Sequence, residues 1–168
     1  MGAGTAPGCG IQAKVTFQPL ATAVHRAYTA DLDAADFYRM LRLRVGVFVV
    51  EQQCPYHELD GRDLESTTRH FWIDSVDGYV LAYLRLLEES GGVLRIGRVC
   101  TSAEARGFGL ARKVMRAAVA EAQRAPVVLS AQTTVVDFYR HFGFAENGEE
   151  YLEDGIPHVD MRRASGGR

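Results

Sequence analysis

The chain has 168 residues, of which 47% are hydrophobic and 24% charged, with a formal net charge of −2. That composition excludes a disordered or fibrous protein and suits one globular domain able to bury its own core. The slight acidity speaks against nucleic acid as the main partner, because neutralising a run of phosphates calls for a basic face; a small molecule or peptide is the expected substrate.

Residues 1–20 begin MGAGTAPGCG, small and flexible in composition, without the charged-then-apolar order of a secretory signal. They are expected to form a flexible N-terminal extension ahead of a single domain at 21–168. Cys9, Cys54 and Cys100 lie far apart with no CxxC pair, so neither a zinc site nor a disulfide framework is indicated. Reduced thiols point to the cytoplasm. No apolar run approaches the roughly 20 residues that span a bilayer, so no membrane partner is expected.

Asp33 or Asp36 can cap a helix whose apolar positions Phe37, Leu41, Val45, Phe48 and Val49 recur at helical spacing, with Arg39 and Arg42 left for solvent. Pro55 ends that element, and CPYHELDGRDLESTT reads as a long surface loop with a turn at Asp60-Gly61. Loops of this length often carry function. HFWID and YVLAYLRLL follow as two antiparallel strands joined across Asp77-Gly78, and VLRIGRVCT alternates as a third. A helix is predicted from about Gly109 to Arg124, burying Leu110, Val114, Ala117 and Ala118 while Arg112, Arg116 and Glu121 face out.

VVLSA reads as a short strand buried on both faces. A short helix over 133–141 stops at Gly143, and the tail holds two short strands around Asp154-Gly155. The order of elements predicts an α/β (α+β) fold with helices on both faces of a sheet.

The segment VCTSAEARGFGLARKVM places a strand end, a glycine-containing loop and a helix start in succession. The first turn of a helix leaves backbone N–H groups without partners and carries partial positive charge, which favours an anion. Glycines at 107 and 109 let a phosphate approach the backbone, while Arg106 and Arg112 add charge. The spacing fits neither GxxxxGK[ST] nor GxGxxG, so a pyrophosphate of another kind is left.

Arg106-Gly107-Phe108-Gly109-Leu110-Ala111 resembles the pyrophosphate loop of the GNAT superfamily of N-acetyltransferases, Q/R-x-x-G-x-G/A. Asp137-Phe138-Tyr139-Arg140-His141-Phe142-Gly143-Phe144 resembles that family's second signature, FY…GF. The resemblance implies a mixed central sheet in which two parallel strands splay to form a cleft for acetyl-CoA. It assigns Val99, Cys100 and Thr101 to the pantetheine arm and Arg106, Gly107, Phe108, Gly109, Leu110, Ala111 and Arg112 to the pyrophosphate. Tyr139 matches the residue that protonates the departing thiolate. Gln132 stands where many relatives have Asn, which leaves the hydrogen bonding of that cofactor-side position open.

The N-terminal half narrows the likeness. LRVGVFVVEQ at 43–52, Cys54-Pro55-Tyr56, Asp60-Gly61-Arg62-Asp63, Arg69-His70 and Gly155-Ile156-Pro157-His158 resemble the ElaA-type branch, over about residues 30 to 163. The implied activity is transfer of an acetyl group to a primary amine of a small molecule or peptide by direct attack. The amine must lose a proton first, and Glu51, Glu58, Asp60, Asp63, His70 and His158 are available, with none singled out by spacing. Glu51 and His70 are candidates for base or acceptor contact, and Arg44, Asp60, Asp63 and His158 for acceptor binding. Arg44, Glu51, Asp60, Asp63 and His70 could equally form a structural ion network.

An acyl-homoserine-lactone synthase has a related LRxxVFVxEQ stretch, but RGFGLA is closer to a CoA-binding loop. Lactone formation from S-adenosylmethionine separates the two, and binding without turnover would mark a non-catalytic CoA-binding module. The sequence is compatible with a monomer or a homodimer.

Overall fold

The computed structural model describes residues 23–166, so the extension expected at 1–20 lies outside the described residues. Seven strands form one mixed sheet in the order β1-β2-β3-β4-β5-β7-β6. They are β1 (His25–Tyr28), β2 (Arg69–Asp74), β3 (Val80–Glu88), β4 (Leu94–Thr101), β5 (Val127–Gln132), β6 (Ala145–Glu153) and β7 (Ile156–Arg163). The helices are α1 (Ala34–Val45), α2 (Leu110–Glu121) and α3 (Val136–Arg140). No sequence pattern announces β1, whose HRAY stretch is short and carries no apolar alternation.

Alternation along β2 and β3 sorts side chains onto two faces, as a pleated strand requires. Phe71, Ile73, Ala82, Leu84 and Leu86 join Leu110, Val114, Met115 and Ala118 of α2 in the larger core, whereas Trp72 and Tyr83 join Met40 of α1 in the smaller one. Helices therefore cover both faces of the sheet, as expected for this α/β fold.

Asp33 caps α1, its side chain accepting from the Asp36 amide at 2.7 Å. The buried stripe of this helix differs from the expected one, running through Met40 and Arg44 into Val47. After Val45 the helix widens into a π-helical turn over Gly46–Glu51, which rotates the face that a strict 3.6-residue period assigns to the core. Arg39, expected in solvent, instead reaches Asp36, Asp74 and the Gly78 carbonyl.

A bulge interrupts the pairing of β3 with β4. Tyr83 opposes Cys100 and Arg85 opposes Gly97, so Arg98 and Val99 together face Leu84, and Arg98 adopts a left-handed φ of 56°. One extra residue exchanges the faces of everything beyond it. Ile96 consequently packs in the α2 core while Cys100 packs in the α1 core.

β4 and β5 pair in parallel only at Leu94↔Val127 and Arg95↔Val128. Beyond those two pairs β4 continues to Thr101 and β5 to Gln132 without a shared ladder. β5 is buried on one face only; Val128, Ser130 and Gln132 are partly open, which corrects the expectation of burial on both. On the far side β5 pairs with β7 throughout, and β7 with β6. All nine residues of β6 are exposed, and its register with β7 shifts between Glu146 and Glu150.

Candidate active site

A cavity of about 620 Å³ opens where β4 and β5 part, and its wall includes Val99, Cys100 and Thr101 of β4, Ser130 and Gln132 of β5, and Tyr139 of α3. Arg106 and Ala111 border it from the α2 side, Glu51 from the π-helical turn, Asp60 from the long loop and His158 from β7. The other loop residues assigned to pyrophosphate fall outside this lining: Gly107, Phe108, Gly109 and Arg112 are exposed at the surface, and the Leu110 side chain belongs to the core.

At the start of α2, Gly109 is the cap residue with φ 76°, and no side chain caps the turn. Gly107 is also left-handed, at φ 82°, and a Cβ at either glycine would meet nothing within 4 Å. The first amides of α2 thus begin at an open surface, the setting in which a helix terminus takes up an anion. Arg106 is held meanwhile by Glu51, with two N–O distances of 2.7 Å, and also donates to the Thr101 carbonyl. The hydrogen bond from Arg106 holds the Glu51 carboxyl below its usual range. Both side chains are more than two-fifths exposed, and a pair so open to water contributes only about 0–1 kcal/mol.

Tyr139 is 8% exposed, with edge-on contacts to Phe138 and Phe144. Its hydroxyl has no hydrogen-bond partner among the described residues, and burial pushes its pKa above the usual tyrosine range. The group keeps its proton and has that proton free to give. Burial likewise pushes the Cys100 thiol up to about 12, so this cavity-lining sulfur stays a poor nucleophile.

The charged residues expected near an acceptor divide into two sets. Arg44 is fully buried between Glu58 and Asp63, with Nε–Oε1 and Nη2–Oε2 distances of 2.8 and 2.9 Å on one side and Nη1–Oδ1 and Nη2–Oδ2 distances of 2.6 and 3.0 Å on the other. Arg85 joins Asp63 at 3.0 Å and also pairs with Asp60. Arg98 joins Glu58 at 3.0 Å and Asp60 at 3.3 Å. Three guanidinium groups thus face three carboxylates, and the bulge at Arg98 is what turns the last of them toward the loop.

Burial alone would raise the Asp60 and Asp63 carboxyls, but their arginine partners outweigh it. Asp60 is held down to about 2, chiefly by Arg85, and Asp63 is lowered by Arg44 and Arg85. Arg44 and Asp63 do not line the cavity, whereas Asp60, Arg85 and Arg98 do.

His70 is fully buried, its Nδ1 2.6 Å from the Tyr83 hydroxyl and its Nε2 2.8 Å from the Thr29 hydroxyl. Burial lowers it to about 4, and it does not line the cavity. Both nitrogens are committed to structure, which removes it from contact with an acceptor.

Sequence reasoning passed over Arg85, Arg98, Tyr56, Ser130, Glu153 and Asp154, all of which line the cavity. For Arg85 a signal was present: an arginine inside the apolar run YVLAYLRLL must find buried partners. Among the described residues no group of three potential ligands could hold a metal ion, and no helix is long and apolar enough to cross a membrane.

Comparison with known proteins adds three kinds of likeness. A family model described as acetyltransferase (GNAT) domain matches residues 43–165. The UPF0039 protein Rv2851c of Mycobacterium tuberculosis is 50% identical over 149 residues, 87% of this chain and 96% of that protein. Protein ElaA of Escherichia coli is 37% identical over 140 residues, 80% of this chain and 91% of its own.

Among solved structures, an acyl-CoA N-acyltransferase from Pseudomonas aeruginosa matches with a TM-score of 0.80 and 45% identity, covering 86% of this chain and all of that one. The crystal structure of ElaA matches with a TM-score of 0.77 and 35% identity over 84% of this chain and 99% of its own. The signature segments of the sequence, the parting of β4 from β5 and these relatives agree: the chain belongs to the GNAT acetyltransferases, and within them to the group that includes ElaA.

Proposed function

We propose that this acyltransferase moves an acetyl group from acetyl-CoA to the primary amine of a small molecule or peptide, by direct attack of the amine on the thioester. The observation that carries this reading is the cavity between β4 and β5, with the uncapped start of α2 at one end and the unpartnered hydroxyl of Tyr139 on its wall.

The residues present fit such a donor. Backbone groups of Val99, Cys100 and Thr101, outside the β4–β5 ladder, are suited to the pantetheine arm, and a β4 amide there is suited to polarise the thioester carbonyl. Arg106 and the backbone from Gly107 to Arg112, beside an uncapped helix start, are suited to the pyrophosphate. Gln132, whose side chain donates to Gln52 at 3.3 Å, borders the same cavity. Tyr139 would deliver the proton that the departing thiolate needs. The high pKa of the Cys100 thiol supports direct transfer over an acyl-enzyme at that sulfur. The basic experiment is release of free thiol from acetyl-CoA across a panel of amines; a panel in which nothing releases thiol would overturn the reading.

Two substitutions test the pyrophosphate end. Gly109→Val forces a β-branched residue into a left-handed conformation and puts its side chain where the phosphate would sit; strain of about 1–3 kcal/mol then adds to lost contacts. CoA affinity measured by calorimetry is expected to fall by at least about tenfold. Unchanged affinity would count against the loop.

Glu51→Gln acts in the opposite sense. It removes the anion that holds Arg106 in the free protein, and CoA should bind up to about fivefold tighter, the limit set by an exposed pair worth at most about 1 kcal/mol. Weaker binding would show that Glu51 supports the donor instead of competing with it.

A further inference from the structure

We infer that His158 is the group that takes the proton from the incoming amine, an assignment that rests on the acetyl-transfer reading above and completes it. His158 lies on β7 directly opposite Gln132 of β5 and Tyr151 of β6. Directly opposed residues share a face of the sheet, and this face forms a wall of the cavity, with both Gln132 and His158 in the lining. The imidazole stacks on the Tyr151 ring at 6.1 Å between centroids and 26° between planes, which limits its rotation.

Its Nδ1 lies 2.8 Å from the Ile156 carbonyl oxygen. A carbonyl only accepts, so Nδ1 carries the hydrogen and Nε2 is left with a lone pair. That nitrogen has no hydrogen-bond partner among the described residues.

Every other basic candidate in the cavity is engaged or unsuited. Glu51 is an exposed carboxylate, a far weaker base than imidazole even when the donor draws Arg106 away, and Asp60 is clamped by Arg85 and Arg98. Burial pushes the Tyr56 hydroxyl and the Cys100 thiol each up to about 12, so both keep their protons. Glu153 and Asp154 stand exposed on the β6–β7 turn, and a solvated carboxylate is a far weaker base than imidazole.

Charged groups of both signs surround the cavity that His158 borders. Tyr151 faces it from β6 and Asp160 from β7, two positions along; Asp160 accepts from the Tyr151 hydroxyl at 3.1 Å and from Ser130 at 2.8 Å. Glu153 and Asp154 contribute from the turn, Gln132 of β5 is neutral, and Glu51 and Tyr139 border the cavity from the π-helical turn and α3. Arg62, Arg85, Arg95, Arg98 and Arg106 line the same cavity.

An ammonium gives one proton to Nε2 of His158 and becomes an amine with a free lone pair. Its nitrogen then bonds to the thioester carbon, and the carbon–sulfur bond breaks. Tyr139 supplies a proton to the sulfur, and the second proton lost from nitrogen restores the Tyr139 hydroxyl. His158 returns its proton to water, leaving an amide, a thiol and one released proton.

The test uses the full chain and His158→Gln, whose side-chain amide can still donate to the Ile156 carbonyl. Thiol release from acetyl-CoA is followed with butylamine, putrescine and lysine amide, which arrive as ammonium ions, and with methoxyamine, which arrives neutral. The variant is expected to lose about 100-fold in kcat/KM with the alkylamines and less than about threefold with methoxyamine. The acid limb of its pH profile with alkylamines should shift or flatten, and its affinity for acetyl-CoA should be unchanged. Equal losses with both kinds of amine, or no loss with either, would overturn the assignment while leaving the transfer reaction in place. Wild-type protein that releases no thiol with any of these amines would overturn the transfer reading and the role of His158 together.

Discussion

Tyr139→Phe is expected to lower kcat about 100-fold while leaving acetyl-CoA affinity within about twofold of the wild type, because positioned general acids contribute about 10²–10⁴-fold. The substitution removes one oxygen and keeps the ring that packs against Phe138 and Phe144, so a structural explanation for lost turnover is not available. Burial holds the Tyr139 hydroxyl above the usual tyrosine range, and its protonated form should persist through the neutral and mildly alkaline region. Steady-state thiol release, paired with calorimetry for donor binding, separates the two quantities. A variant with unchanged kcat would take Tyr139 out of the proton transfer.

The second large effect belongs to stability. Arg44→Met leaves Glu58 and Asp63, each under 5% exposed, without the central cation that bridges them. Removing one partner of a buried ion pair costs about 3–5 kcal/mol, chiefly because charge is left buried and uncompensated. Arg85 and Arg98 remain on the two acids, which favours the lower part of that range. In a domain of this size Tm should fall by about 2–4 °C for each kcal/mol lost. Urea unfolding that shows a loss below about 1 kcal/mol would mean that Arg85 and Arg98 compensate Asp63 and Glu58 without Arg44.

That network marks where sequence reasoning stopped. Arg44, Glu51, Asp60, Asp63 and His70 were readable as a charged cluster, yet spacing left open whether they contact an acceptor or one another. The deciding partners, Arg85 and Arg98, come from strands rather than from the loop, and Arg98 reaches the cluster only through a bulge that no periodicity announces. Chain-distant pairs of this kind are fixed by tertiary packing.

What was legible has local causes. The strand–turn–helix at 98–121 announced itself through two glycines and an amphipathic run, and Asp77-Gly78 through its turn chemistry. The π-helical turn over Gly46–Glu51 was hidden because GVFVVE continues an apolar pattern that also suits an α-helix. The free nitrogen of His158 was equally invisible, since its tautomer is set by a carbonyl two residues away that only the β7 backbone brings into range.

β6 closes the sheet with its outer edge open to water along its whole length. A bare edge invites a stray strand to dock and extend the ladder. Glu149, Glu150 and Glu153 oppose that by mutual repulsion with any similar chain, and the register shift beside Glu146 spoils the row of amides and carbonyls such a strand would need. This margin of the sheet is thereby defended against aggregation without a covering helix.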